Sequence, residues 1–191
     1  MQGRKKLAVA VTAMSIAAVG GGGATAMAAR AQDEVLQATS TTFIAGGGSG
    51  SCFSGVASVT FTAAGPATGP YAGSFTGATP ATAIVSARIT PQISRTLTLS
   101  IPFTITSGST TITGTVTNPA PYSGGSLLCV RSPLNPTNGL SVAANSATYT
   151  ATVQRQGHTQ NVKGTAQVSA AFQGGRVTTP PNVTLLNFPS P

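Results

Sequence analysis

The chain has 191 residues, with ten Lys and Arg against two Asp and Glu, one His and no Trp. Charged residues make up 6% of it, whereas an average soluble domain has about 25%. Two carboxylates cannot supply acid–base pairs, metal cages and salt-bridge networks together. The length and the 40% of hydrophobic residues suit one domain with an ordinary core.

The first element in the chain is a predicted secretory signal peptide over residues 1–31. Residues 4–6 are basic, residues 7–19 are apolar, and A-x-A cleavage sites follow, the last of them ending at Ala31. A transmembrane anchor is the alternative, but a span needs about 20 apolar residues and the glycines at 20–23 interrupt this stretch. We therefore expect a bacterial protein that is secreted or held at the cell surface, with no stable membrane span after cleavage.

Cleavage after Ala31 changes the distribution of charge. It removes four of the ten cations and leaves six against Asp33 and Glu34, a net charge of +4. Both acids then fall in the first mature residues, which we expect to be loose. Residues 32–54 are accordingly predicted to be a flexible segment with a candidate first strand, followed by a single all-β domain over 55–191.

The two cysteines of the sequence, Cys52 and Cys129, are predicted to pair. An even count in an exported chain is typical of a disulfide, and this bridge would contribute about 4 kcal/mol on the chain-entropy model. Two unpaired buried cysteines are the alternative.

Alternation of apolar and polar residues with period two dominates the chain after the signal peptide. Apolar residues occupy every second position from Leu97 to Ile105, which is the pattern of a strand with one buried face. A turn at 107–109 and a second alternating run through Val116 complete a hairpin. Pro102 lies within the first strand and predicts an edge position or a bulge there, because proline lacks an amide donor.

A second hairpin is predicted from Tyr149 to Phe172, with its reversal at 156–158. Further strands are predicted at 56–63, 82–88, 127–131 and 183–188, separated by Gly- and Pro-rich corners. After the signal peptide there is neither the 3.6-residue period of a helix nor a connection long enough for a parallel crossover. The expected fold is all-β, a single antiparallel β-sandwich, with a small up-and-down β-barrel as the alternative.

Three motifs resemble a known group of proteins. They are Gly-Pro-Tyr-Ala-Gly-Ser-Phe-Thr at 69–76, Phe-Thr-Ile-Thr-Ser-Gly at 103–108 and Ala-Thr-Tyr-Thr-Ala at 147–151. In this combination the sequence is similar to a family of uncharacterised exported actinobacterial all-β proteins that carry G-P-Y-x-G-x-F-T and F-x-I-T-S-G motifs. Residues 77–80 depart from the pattern, since the family often has acidic residues there. The resemblance implies an exported all-β protein and brings no activity.

Few residues are available for chemistry. His158 follows Gly157 at the second reversal, where a solvated turn residue is the expected role, and no carboxylate is at hand to orient it as a base. Lys163 is expected on an exposed strand face, and it would need a neighbouring Ser to form a catalytic dyad. The sequence has one His, two cysteines that are expected to pair and two adjacent acids. These residues do not supply the set of ligands that a metal site needs. We therefore predict no catalytic residue, no metal and no cofactor.

Binding is the remaining class of function. The cations are spread singly and aromatic residues make up 5% of the chain, which argues against a nucleic-acid partner. Tyr71 and Tyr122 lie in Pro-Tyr-x-Gly turns. With Arg88 and Arg131 they form a candidate ligand surface, although rings packed inward at the end of the fold are the alternative.

The predicted function is that of a non-enzymatic exported β-domain with a structural or interaction role at the cell surface or outside. A binding module for glycans or anionic cell-envelope polymers is the alternative. The expected partner is thus a cell-envelope polymer or another surface protein.

The disulfide prediction is checked by titrating thiols in the denatured protein without reductant. We expect no free thiol from Cys52 and Cys129, and two after reduction. Two thiols before reduction would contradict the predicted bridge.

Overall fold

The computed structural model describes residues 31–50, 54–77, 79–89, 93–118, 125–128 and 139–190, and these form eleven strands and no helix. The strands are β1 (Gln32–Gln37), β2 (Ser40–Gly50), β3 (Gly55–Thr68), β4 (Gly73–Thr76), β5 (Ala81–Ile89), β6 (Ile93–Ser107), β7 (Thr110–Thr117), β8 (Gly125–Leu128), β9 (Gly139–Arg155), β10 (His158–Gln173) and β11 (Arg176–Phe188). The predicted all-β class is confirmed. Within the same residues no helix could cross a membrane.

All the strands belong to one sheet. Every pairing in it is antiparallel, as predicted. The strand order is β1-β11-β10-β9-β7-β6-β4-β3-β2, with β5 paired to β3 and β6 beside β4, and β8 paired to β9. A further short pairing joins β1 to β3, where Val35 lies opposite Thr68 and Leu36 opposite Ala67. The first strand therefore bonds to the last strand on one side and to β3 on the other.

The two hairpins predicted from the sequence are confirmed. β6 and β7 are joined at Gly108, which has φ of 56°. β9 and β10 are joined by Gln156 and Gly157, with φ of 46° and 80°. Positive φ at both central residues is the signature of a type I′ turn, whose twist matches that of the flanking strands. This turn sets Arg155 directly opposite His158.

Pro102 does not lie on an edge strand, so that part of the prediction is wrong. β6 is an interior strand, and Pro102 is opposite Thr115 of β7. On its other side β6 changes partner, because its pairing with β5 ends at Ser100 and its pairing with β4 begins at Thr104. The proline therefore sits where the ladder is interrupted, and its missing amide donor is tolerated there.

The core is built from the inward residue of every second position. Leu97, Leu99, Ile101, Phe103 and Ile105 of β6 are all buried, as the alternation predicts. The rings of Phe61 on β3 and Phe172 on β10 meet with centroids 4.8 Å apart, although their strands do not pair with each other. Burying each large apolar side chain contributes about 1.5–3 kcal/mol, so this meeting across the interior is a main source of stability.

The segment predicted to be flexible instead supplies two strands, β1 and β2, over its described residues. The chain bends between them at Ala38 and Thr39. The Ala38 amide donates to the carbonyl of Pro181 on β11, and the next amide, that of Thr39, donates to the carbonyl of Ala64 on β3, each at 3.0 Å. The two successive amides thus donate to different strands, so the chain stops pairing with β11 and begins to pair with β3 at this corner.

Gly65 allows that crossing. A Cβ at this position would lie 2.0 Å from the Gln37 carbonyl oxygen and 2.9 Å from the Thr39 nitrogen. Both are backbone atoms, so neither can move aside without disturbing the corner. At Gly47 a Cβ would meet nothing within 4 Å.

Gly65→Ala is therefore expected to lower the free energy of unfolding by about 1–3 kcal/mol, because it overpacks a rigid backbone contact. Gly47→Ala serves as the control and should raise stability by about 0.4–1 kcal/mol, through reduced freedom of the unfolded chain. Urea denaturation of both variants measures the difference. Equal stabilities for the two variants would contradict the close crossing at Gly65.

Candidate functional site

Glu34 is a carboxylate buried within the sheet. Its side chain is 0% exposed, and it shares the inward face of β1 with Leu36 two residues later. The alternation of a strand forces this orientation once Leu36 faces the core. The prediction that the two acids lie in a loose tail is wrong, because β1 pairs along its length with β11.

The Pro-Tyr-x-Gly turn at Tyr71 closes over the Glu34 carboxylate. The Tyr71 amide donates to Oε2 of Glu34 at 2.9 Å, whereas Oε1 is buried without a hydrogen-bond partner. Gly69 has φ of 139°, and a Cβ there would lie 2.9 Å from Oε2. Burial raises the pKa of Glu34, and the bond from the Tyr71 amide opposes that rise in part. Burial under the turn thus makes the Glu34 carboxyl easier to protonate than a carboxyl in water.

Three aromatic rings pack beside this turn. The Tyr71 ring is 5% exposed and meets Phe188 edge-on, with centroids 5.7 Å apart. Phe188 in turn stacks on Tyr149 at 5.5 Å. Burial raises the pKa of both tyrosines. Aromatic pairs in these geometries add about 0.5–1.5 kcal/mol beyond their buried area, so the rings anchor the turn on β9 and β11.

Asp33 holds the same region from outside. Its side chain is exposed, and Oδ1 accepts a hydrogen bond from the Asn187 amide at 3.0 Å. Asn187 has φ of 52°, a left-handed conformation that asparagine tolerates. Both acids of the sequence therefore fasten the first described strand to neighbouring elements.

A cleft of about 340 Å³ opens next to Tyr71, at the tip of the β9–β10 hairpin. We call this cavity the cationic cleft, and its walls include Tyr71, Arg155, His158, Thr159, Gln160 and Ser190. The positive charge of Arg155 lowers the pKa of Tyr71 against the larger effect of burial, so the guanidinium acts on the phenol. Among the described residues no carboxylate lines the cleft. The site therefore offers positive charge and neutral hydrogen-bond donors to an anionic group.

The outer face of β6, β7, β9 and β10 carries a grid of polar side chains. The central cross-strand rows are Thr104, Thr113, Thr152 and Asn161, then Pro102, Thr115, Thr150 and Lys163. The flanking rows are Thr106, Thr111, Gln154 and Thr159, then Ser100, Thr117, Thr148 and Thr165. A groove of about 560 Å³ runs over β7, β9 and β10 between the central rows, with Lys163 on its wall. We call this surface the threonine face.

The predicted ligand surface is placed only in part. Tyr71 presents no ring face to solvent, which is the inward packing weighed as the alternative. Arg88 lies on β5 opposite Ser94. Tyr122, Arg131 and both predicted disulfide partners lie outside the described residues.

Sequence reasoning missed the cationic cleft because it treated the cations one at a time. The signal was present, since a two-residue turn at Gln156 and Gly157 necessarily places Arg155 beside His158. Within the described part of the chain, no group of three or more His, Cys, Asp or Glu side chains lies close enough to hold a metal.

The pH dependence of stability tests the burial of Glu34. Because its pKa is raised in the folded protein, protonation stabilises the fold, and this contribution is lost as pH rises through the folded pKa. Glu34→Gln should abolish the contribution, whereas Asp33→Asn should keep it. Melting temperatures between pH 7 and pH 4.5 provide the measurement.

The readout is the difference between the wild type and each variant across the pH range, since this cancels titrations that they share. Acidification should favour the wild type relative to Glu34→Gln. A difference that does not change with pH would show that Glu34 is solvated.

Comparison with known proteins adds no relative. No family model matches the sequence, and no curated protein and no solved structure is significantly similar to it. The three sequence motifs at 69–76, 103–108 and 147–151 fall on the Tyr71 turn, the β6–β7 hairpin and β9. Function must therefore be inferred from the chemistry of these surfaces.

Proposed function

We propose that the protein is an exported β-domain without enzymatic activity, with a structural or interaction role at the cell surface or outside. The supporting observation is the use of both carboxylates. Glu34 is buried under the Tyr71 turn and Asp33 bonds to the Asn187 amide, so each holds a strand in place. General acid–base catalysis needs a titratable group that reaches a substrate. Here the acids of the chain are committed to the fold.

A second candidate, the binding of anionic cell-envelope polymers or glycans, is favoured by the cationic cleft. Arg155 and His158 face one cavity from adjacent strands. A guanidinium matches the geometry of phosphate and carboxylate groups and binds them through paired hydrogen bonds. The described walls of the cleft contribute no carboxylate side chain that would oppose a bound anion directly.

The threonine face favours a polymer over a small anion. Thr159 at the hairpin tip belongs to both surfaces, whereas His158 and Lys163, five residues or about 17 Å apart on β10, lie on opposite faces of the strand because its side chains alternate. A chain that binds in the cleft would therefore reach Lys163 only by passing around the hairpin tip, which requires a long and flexible ligand. Between them, threonine hydroxyls both donate and accept hydrogen bonds, as the hydroxyls of sugars require.

The twist of the sheet selects the kind of polymer. Adjacent strands rotate by about 20–25°, so a grid that spans four strands is far from flat. A flexible glycan can follow such a surface, whereas a rigid crystalline one cannot contact all of it. A flexible anionic glycan is therefore the ligand class that fits best.

The finer architecture is also a proposal. The strand pairings form a circuit, because β1 bonds to both β11 and β3 while β3 connects through β5 to β6. This circuit supports the small barrel over the two-layer sandwich, since a sandwich leaves its sheets unbonded at their edges.

Retention on immobilised polymers tests the binding candidate. We expect binding to teichoic acid and to peptidoglycan at low salt, decreasing as salt rises. Arg155→Gln should weaken binding about tenfold or more, because a charged hydrogen bond contributes about 1.5–3 kcal/mol. Arg176→Gln is the matched control, since it removes the same charge from the start of β11, about 50 Å along the hairpin from Arg155.

Equal losses in the two variants would mean that net charge alone drives retention and that the cleft is not the site. No retention at low salt would exclude the binding candidate and leave the structural role. Release of soluble fragments from the polymer would contradict the non-enzymatic proposal.

A further inference from the structure

A shallow cavity of about 250 Å³ lies over β9, β10 and β11, and we call it the amide cavity. Its walls include Ala143, Asn145, Gln167, Ser169, Asn182 and Thr184. It shares no lining residue with the cationic cleft or with the groove of the threonine face. The amide cavity is therefore a separate feature of the surface, which the proposed function does not use.

The side chains of the amide cavity come from one face of the sheet. Gln167 and Ser169 are exposed between buried neighbours on β10, so they point outward. Gln167 lies opposite Thr184 of β11. Ser169 lies opposite Ala143 of β9 on one side and opposite Asn182 of β11 on the other. The side chains of Ala143 and Ser169 are small, so the surface is lower there than at the longer amides around it.

Two β-bulges flank the amide cavity, one on each neighbour of β10. On β9, Asn145 and Ser146 together face Gln167, and both are exposed. On β11, Pro180 and Pro181 together face a single residue of β10. Bulges are frequent next to active sites, where they re-aim side chains. The bulge on β9 brings an additional amide side chain, that of Asn145, to the wall of the cavity.

None of the described residues that line the amide cavity carries a charge. Its polar groups are three carboxamides and two hydroxyls, and a carboxamide places a hydrogen-bond acceptor beside two donors. An anion finds no positive charge here, and an apolar group would bury these polar side chains without replacing their bonds to water. Neighbouring hydroxyls on a sugar ring both donate and accept, so they match this set of groups.

We propose that the amide cavity binds one ring of an uncharged sugar. Its volume is below the range of about 300–1,000 Å³ that is typical of sites for drug-sized ligands, which suits a single ring. Peptides often bind a sheet along an open edge, through backbone hydrogen bonds. The amide cavity instead lies over three paired strands and offers side chains, which favours a sugar over a peptide. Thr165 of the threonine face precedes Gln167 on the same side of β10, so further rings of a glycan meet hydroxyls there.

Titration of the protein with neutral trisaccharides tests the proposal. Saturation-transfer NMR detects binding of the trisaccharides of glucose, mannose and N-acetylglucosamine, in about 0.5 M NaCl to screen charge attraction. At least one of them should bind saturably. Gln167→Ala should weaken that binding about tenfold, because the hydrogen bonds of the carboxamide to the ring are lost. Gln32→Ala is the matched control, since the same change at an exposed position of β1, outside the cavity, should leave the affinity unchanged.

A second variant, Ala143→Leu, fills the depression without removing a polar group, and it should weaken binding by at least as much. Because Ala143 is exposed, the larger side chain need not enter the core, and circular dichroism should show the wild-type fold for all three variants.

The absence of saturable binding for all three sugars would overturn the proposal, as would equal affinities of Gln167→Ala and Gln32→Ala. Displacement of the bound sugar by an uncharged acetylated peptide amide would show that the cavity recognises amides, and it would overturn the proposal too. Since salt screens the cationic cleft, these results are independent of retention on anionic polymers.

Discussion

The hydrogen bonds on both sides of β1 are the constraint on which the other parts of this fold depend. β1 bonds to β11 on one side and to β3 on the other, and it passes into β2 through the crossing at Gly65. Its one inward polar side chain, Glu34, bonds to the Tyr71 turn. That turn carries the ring that packs on Phe188 and lines the cationic cleft. The core, the Tyr71 turn and the cationic cleft are therefore linked through β1, a strand of six residues.

The distribution of charge follows from the same arrangement. One of two carboxylates is buried, and the other is bonded to a backbone amide at the end of β11. The described cations Arg155, Lys163 and Arg176 are left on the surface with almost no negative charge to oppose them. An unopposed positive field attracts anions over a distance of roughly one Debye length, about 8–10 Å in physiological salt. The strands β2, β3 and β4 contain no charged residue, whereas Arg88 and Arg95 lie where β5 pairs with β6.

Much of the fold could be predicted because period-two alternation reports directly on which face of a strand is buried. The hairpins at Gly108 and at Gln156–Gly157 followed from alternation and turn residues alone. Neighbours that are distant in sequence could not be predicted in this way. Pro102 by itself predicts an edge position or a bulge, whereas the exchange of β5 for β4 beside it depends on three separate strands. Glu34 was placed in a tail because its burial requires β11, which is encoded some 150 residues later. The cationic cleft could be predicted only in part. The pairing of Arg155 with His158 follows from the turn sequence between them, whereas the position of Tyr71 beside that pair does not.

The bond between Asp33 and Asn187 spans 154 positions of sequence. β1 is made first among the strands, and its principal partner β11 is made last. Contacts of such high sequence separation slow folding, because a long loop must close before they form. Until β11 is complete, Glu34 stays hydrated, the three-ring cluster lacks Phe188, and the charge-free strands β2, β3 and β4 have no finished core behind them. The contacts that complete this end of the core therefore form only once the thirteen-residue strand β11 has joined β1.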